Sequence, residues 1–108
     1  MGRIYELRTY VSEPGRMDAL LDRFRNHTVE LFARHGMTNV GYWVEAEHPG
    51  TLVYLLSHND AQAAAGSWEA FRSDPEWHNV RAESEIDGPI VQSVTSTFLE
   101  PTDFSPIV

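Results

Sequence analysis

The sequence contains no cysteine and no lysine among its 108 residues. The first absence excludes disulfide bonds, thiolate metal ligands and cysteine nucleophiles. The second excludes Schiff-base chemistry on a lysine amine. Because a chain without cysteine has no need of an oxidising compartment, we expect a cytoplasmic protein.

Positive charge is also scarce. Eight arginines against sixteen acidic residues give a net charge of −8, and no stretch of the sequence concentrates the cations. We therefore expect binding to neither nucleic acid nor an anionic membrane surface. No apolar run approaches the ~20 residues that span a bilayer. The first residues alternate like a strand rather than a targeting peptide. We expect a single domain over residues 1–108.

Apolar periodicity predicts four strands, a long helix after the first strand, and two shorter helices after the third. The strands are predicted at 3–11, 37–47, 51–58 and 90–99, and the helices at 17–35, 61–73 and 75–84. Asn59 or Asp60 is suited to cap the second helix. Asp74, followed by Pro75, is suited to cap the third. The order is therefore βαββαβ.

This order predicts a fold of the α+β class. Right-handed crossovers place the helices on one face of an antiparallel sheet, which gives a ferredoxin-like sandwich with strand order 4-1-3-2. The third strand, Thr51–His58, is apolar on both sides and so needs cover on both faces of the sheet. A second copy of the chain is the simplest cover for the face without helices. We therefore expect a homodimer, a dimeric α+β barrel in which the two sheets pack face to face.

Five motifs follow one another along the chain: YELRTY at 5–10, RHGM at 34–37, VGYW at 40–43, DPEW at 74–77 and FLEPTDFSP at 98–106. Together they resemble the motifs of the NIPSNAP family, in its small stand-alone bacterial form. The resemblance implies a dimeric α+β barrel but brings no set of catalytic residues, so these remain unknown. The wider barrel group includes cofactor-free monooxygenases, cyclases and isomerases.

The first strand carries the leading candidates for a site. Glu6 and Arg8 alternate with Ile4 and Tyr10, and we expect this set on the face that the dimer closes. In a pocket, Arg8 would hold an anionic or carbonyl oxygen, with Glu6 as base or orienter. The alternative is a structural ion pair, or two charges at the rim of the interface.

Further candidates are aromatic residues and a histidine. Tyr54 and His58 share one face of the third strand and would suit proton transfer, although His58 also fits a surface position. Trp43 would stack on a flat ligand, but tryptophans more often pack in a core or interface. The predicted substrate-binding set is Glu6, Arg8, Tyr10, Trp43, Tyr54 and His58.

Metal and cofactor sites have weaker support. His27 and Glu30 lie three residues apart on the first helix, but no third ligand has compatible spacing. A haem would need His58 or His78 as its axial ligand. We expect no metal and no cofactor. Three functions remain open: a homodimer binding a small hydrophobic or anionic ligand, a cofactor-independent enzyme on an aromatic or polyketide-like substrate, and a non-catalytic interaction module.

Overall fold

A computed structural model describes residues 3–107 of the chain and contains the predicted alternation of strands and helices. The strands are β1 (Ile4–Ser12), β2 (Thr38–Val44), β3 (Thr51–His58) and β4 (Val91–Leu99), and the helices are α1 (17–34), α2 (Ala61–Arg72) and α3 (Pro75–Ser84). None of the helices within residues 3–107 is both long enough and apolar enough to cross a lipid bilayer.

The four strands form one antiparallel sheet in the order β2-β3-β1-β4, which confirms the predicted order. In β1, Arg8 lies opposite Tyr54 of β3 on one side and Ser96 of β4 on the other. Among the four strands, the central pair β1 and β3 carries the buried side chains. β2 and β4 are the edge strands.

Helix α1 contains a π-helical turn that the sequence pattern did not predict. Two α-helical segments, Met17–Arg23 and Val29–Arg34, flank the π-helical turn Phe24–Thr28. The Thr28 hydroxyl donates to the carbonyl oxygen of Arg23, 3.3 Å away and five residues earlier. The extra residue in this turn rotates the first segment relative to the second, so that Arg23 is buried together with Phe24.

The two shorter helices begin at the predicted caps. The side chain of Asp60 accepts a hydrogen bond of 2.7 Å from the backbone N–H of Ala63. Asp74 accepts one of 2.8 Å from the N–H of Glu76, with Pro75 in the first turn of α3. Both aspartates satisfy N–H groups that the helix leaves free. Helix α3 nevertheless contains no buried residue.

The hydrophobic core lies between the sheet and the helices. Tyr54 of β3 is at its centre, completely buried, with the ring of Tyr42 stacked on it at 4.8 Å. Phe24 and Phe32 of α1 pack against Tyr54 from the helical layer. Burial raises the pKa of both tyrosines, because a phenolate is poorly solvated there.

In the part of the chain that the structure describes, no helix covers the opposite face of the sheet. By strand alternation it carries Leu7 and Val53, both half-buried, and Trp43, which is 55% exposed. The C-terminal segment reaches this face at one corner, where Pro101 and Ile107 line a recess together with Tyr5. Most of this surface, called the open face below, is therefore available for an interface.

Candidate functional site

A buried glutamate organises the polar residues beneath the helices. One oxygen of Glu6, Oε1, accepts hydrogen bonds from His58 Nε2 at 2.9 Å and Trp68 Nε1 at 2.8 Å. The other, Oε2, accepts from Ser96 Oγ at 2.6 Å and Arg8 Nη1 at 3.2 Å. The carboxylate therefore receives four donors while it is almost completely buried.

These donors determine the charge state of Glu6. Burial by itself would raise the pKa of this carboxyl group, but the hydrogen bonds from His58, Ser96 and Trp68 and the charge of Arg8 outweigh it. Together they lower the pKa from its usual 4.5 to about 2. A carboxylate this acidic and fully paired is a poor proton acceptor. Glu6 is therefore suited to orient its neighbours and not to act as a base.

Arg8 connects this carboxylate to two tyrosines. Its Nε donates to the hydroxyl of Tyr54 at 2.7 Å, and its Nη2 donates to the hydroxyl of Tyr10 at 3.0 Å. The guanidinium lies 4.2 Å from the centre of the Trp68 ring. Burial would lower the pKa of Arg8, but the two phenols more than compensate and raise it. Arg8 therefore stays charged and fixed in place.

A cleft of about 420 Å³ opens above Arg8, between the sheet and helices α2 and α3. Its size is within the range of small-molecule sites. It combines cationic with aromatic side chains. The cationic lining residues are Arg8, Arg23, Arg72 and Arg81, and the aromatic ones are Tyr10, Trp68, Phe71 and Trp77.

The cleft collects half of the eight cationic residues of an otherwise acidic chain. One carboxylate, Glu85, lies in its wall, where it pairs with Arg23 at 3.3 Å and with Arg81 at 3.5 Å. Within residues 3–107, the guanidinium of Arg72 has no hydrogen-bonding or ionic partner. The cleft thus has more cationic than anionic groups, and a bound anion would correct the imbalance.

Each wall of the cleft follows from local structure. In α2, Trp68 and Arg72 are four residues apart, and Trp77 and Arg81 have the same spacing in α3. That spacing places an aromatic ring and a guanidinium on the same side of a helix. Arg23 comes from α1, just before the π-helical turn, and lies 5.1 Å from the centre of the Trp77 ring. Burial lowers the pKa of Arg23.

Five of the six predicted site residues come together. Glu6, Arg8, Tyr10, Tyr54 and His58 all lie beneath the helices, and Arg8 and Tyr10 also line the cleft. The prediction that Glu6 and Arg8 face the dimer side was wrong. Alternation shows which residues share a face of a strand but not which face the helices cover.

Trp43 is separate from this cluster. Its ring lies against Gly41, where an added Cβ would come within 2.6 Å of it, and it belongs to the open face. Arg23, Arg72 and Arg81 were not among the predicted site residues. The repeated Trp-x-x-x-Arg spacing was the available signal for two of them.

The alternative metal and haem ligands have other surroundings. His27 and Glu30 are both exposed. Nε2 of His58 forms a hydrogen bond with Glu6, and Nε2 of His78 forms one with the carbonyl oxygen of Arg72. Among residues 3–107, no group of three or more histidines and carboxylates is placed to hold a metal ion.

Solved structures with the same fold come from several bacteria. A NIPSNAP family protein of Agrobacterium tumefaciens, Atu5224, is 22% identical, with a TM-score of 0.87 over 99% of this chain and 100% of its own. A second from that organism, Atu4242, described as of unknown function, is 22% identical, with a TM-score of 0.84 over 98% and 94%. A NIPSNAP-like domain protein of Burkholderia xenovorans is 21% identical, with a TM-score of 0.81 over 96% and 89%.

No curated protein matches the sequence. These structural likenesses, all under 25% identity, establish the fold. The family model named NIPSNAP matches residues 5–106, nearly the whole chain. The motif resemblance is thereby confirmed, and the chain belongs to the NIPSNAP family.

Proposed function

We propose that this protein binds a small anionic molecule with a flat apolar body, in the cleft between the sheet and helices α2 and α3. The observation that carries the proposal is the gathering of four arginines beside four aromatic side chains in a protein of net charge −8. Guanidinium groups bind carboxylates and similar anions through paired hydrogen bonds. Aromatic walls bind the planar remainder of such a ligand.

We further propose that the protein is a homodimer joined through the open face. The half-buried Leu7 and Val53 and the exposed Trp43 support this, since such patches usually mark interfaces. In this arrangement each protomer keeps its own cleft on the far side of its sheet. Ligand binding and dimerisation would therefore use opposite faces.

The presence of the cleft favours ligand binding over a purely interacting module. A module that only docks a partner needs no cationic recess beneath its helices. The exposed Arg72 is the best residue for testing ligand binding, because it lines the cleft and pairs with no acid within residues 3–107.

The test is a titration with 2-naphthoate and with its neutral isostere 2-naphthamide, followed by quenching of tryptophan fluorescence. We expect 2-naphthoate to bind about 10-fold more tightly at low ionic strength, since a charge-assisted hydrogen bond is worth about 1.5–3 kcal/mol. Arg72→Gln should remove most of this preference. Equal binding of the two ligands, or no binding, would overturn the proposal.

The matched control is Arg25→Gln. Arg25 is exposed on α1, and among residues 3–107 it pairs only with Asp22, outside the cleft. The Arg25→Gln substitution removes one positive charge, as Arg72→Gln does. An equal loss of affinity in Arg25→Gln and Arg72→Gln would show that net charge alone attracts the anion.

A further inference from the structure

The hydroxyl groups of Tyr54 and Tyr10 both accept a hydrogen bond from Arg8, but they differ in where their own protons point. Tyr54 is completely buried, and its hydroxyl oxygen already accepts from Arg8 Nε. Within residues 3–107 the only acceptor near the Tyr54 proton is the hydroxyl oxygen of Tyr10, 3.1 Å away. Because a buried donor without an acceptor is costly, Tyr54 donates to Tyr10 and not the reverse.

The proton of Tyr10 is consequently unused. Its oxygen accepts from Tyr54 and from Arg8 Nη2, and no acceptor for its own O–H is present within the described part of the chain. Tyr10 lines the cleft. Its hydroxyl is therefore a donor available to a ligand there, and the two donors to its oxygen strengthen it.

Arg8 contributes further hydrogen-bond donors beside the Tyr10 hydroxyl. A guanidinium has five N–H groups, and Arg8 uses three of them, on Tyr54, Tyr10 and Glu6. One N–H on each terminal nitrogen remains without an acceptor within residues 3–107. The inner end of the cleft thus offers three hydrogen-bond donors, one from Tyr10 and two from Arg8.

We propose that Tyr10 and Arg8 form an oxyanion site that selects an aromatic ligand carrying a phenolate or enolate oxygen. This inference rests on the proposed function, because it places the ligand in the same cleft. It goes beyond it by naming the ligand atom that is recognised. Arg23, Arg72 and Arg81 bind the rest of an anionic ligand nearer the mouth.

The surroundings of the site select an anion over a neutral hydroxyl group. Within residues 3–107, the only carboxylate in contact with Arg8 is that of Glu6, and its two oxygens are occupied by four donors. A neutral phenol would bring its own proton into a site that consists of donors. Its oxygen therefore binds better after that proton has left to solvent, so that the charged oxygen accepts from Tyr10 and Arg8.

The test uses 4-nitrophenol, whose phenolate is coloured, at a pH below the pKa of the free compound. We expect bound 4-nitrophenol to show the phenolate absorption band. Its methyl ether, 4-nitroanisole, cannot ionise and should bind about 10-fold more weakly, as expected for the loss of charge-assisted hydrogen bonds. Both measurements use the wild-type protein. Bound 4-nitrophenol that stays neutral, or equal binding of the ether, would overturn the proposal.

Variants then assign the effect to Tyr10. Tyr10→Phe should lose the phenolate band, and Tyr10→Phe/Tyr54→Phe avoids leaving the buried Tyr54 hydroxyl without an acceptor. The control is Tyr42→Phe, because the Tyr42 hydroxyl donates to Asn39, outside the cleft. An unchanged band in either Tyr10 variant would contradict the assignment.

The two proposals fail in different ways. Binding of 2-naphthoate that depends on Arg72, together with bound 4-nitrophenol that stays neutral, would remove the oxyanion site and leave the proposed function intact. Failure of 2-naphthoate to bind would remove the proposed function, together with the site that rests on it.

Discussion

At the scale of single residues, Glu6 shows how one buried charge is stabilised. Its four donors come from every side: Arg8 from the same strand, His58 and Ser96 from neighbouring strands, and Trp68 from helix α2. A buried carboxylate with one missing partner is strongly destabilising, whereas a completely paired one is tolerated. Glu6 thus links the sheet to α2 and fixes Arg8 beneath the cleft.

The lowered pKa of Glu6 predicts an acid-sensitive contribution to stability. Since the pKa is about 2 in the folded state against a usual 4.5, the contribution is complete above the usual value and is lost as pH falls towards 2. The shift corresponds to about 3 kcal/mol. We expect Glu6→Gln to lower the free energy of unfolding by about 3–5 kcal/mol near neutral pH, since it breaks a buried pair.

Urea denaturation of the wild-type protein and Glu6→Gln, near neutral pH and in acid, measures this effect. The difference between them should shrink in acid, because the wild type then loses the same stabilisation. Glu47→Gln, at an exposed position, is the control and should behave like the wild type. A difference that does not vary with pH would contradict the account of Glu6.

The Glu6–Arg8 ion pair was one of the alternatives that the sequence left open, but the residue that completes the cluster was not predicted. Alternation placed the two side chains on one face of β1, and their ion pair is present at 3.2 Å. The Trp68 indole, which donates to Glu6 and stacks on Arg8, comes from 62 residues away in the chain. No pattern within β1 carries that information, so the face that binds the helices was assigned incorrectly.

At the scale of elements, helix α1 turns one apolar side towards the core and a buried arginine towards helix α3. The π-helical turn lets Phe24 and Phe32 pack in the core while Arg23 points towards Trp77 and Glu85. The sequence did not indicate this turn, because Arg23 reads as a surface residue between apolar positions. The π-helical turn and the burial of Arg23 show the change of register in the structure.

Helix α3 contacts the rest of the protein mainly through hydrogen bonds and ion pairs. Arg16 donates to the carbonyl oxygens of Ser84 at 3.0 Å and Gly88 at 3.2 Å, and Arg34 contacts Glu76 at 2.7 Å. Elements with few buried apolar contacts open at low free energy. Because α3 provides Trp77 and Arg81, its opening would widen the cleft.

We therefore expect the backbone amides of α3 (Pro75–Ser84) to exchange with deuterium faster than those of α2. Arg16→Ala should raise α3 exchange further, by about 5-fold, since a hydrogen bond contributes about 1 kcal/mol. Arg25→Ala, which removes a surface pair, is the control. Unchanged exchange in α3, or an equal rise in every element, would contradict the claim that the hydrogen bonds of Arg16 hold α3 in place.

At the scale of the whole molecule, the order of strands followed from handedness. Two right-handed crossovers leave one sheet face under helices and the other open, and the apolar character of β3 on both sides is consistent with this arrangement. The cleft was less predictable, because its arginines come from β1, α1, α2 and α3. Their convergence depends on packing between elements that are far apart in sequence.

The open face predicts a homodimer. We expect light scattering to give twice the chain mass of 12.3 kDa. Val53→Glu places a charge in the middle of the open face and should yield monomers, because an unpaired buried charge is costly. Ile86→Glu, at a residue that is 80% exposed and away from that face, should stay dimeric. A stable wild-type monomer would refute the dimer.

A crystal structure of the protein with 2-naphthoate tests the central claim most directly, because it locates the ligand relative to both faces of the sheet. We expect one molecule in the cleft of each protomer, with its carboxylate on Arg72 or Arg81 and its rings against Trp77. A ligand enclosed between the two open faces, with the clefts empty, would contradict this account.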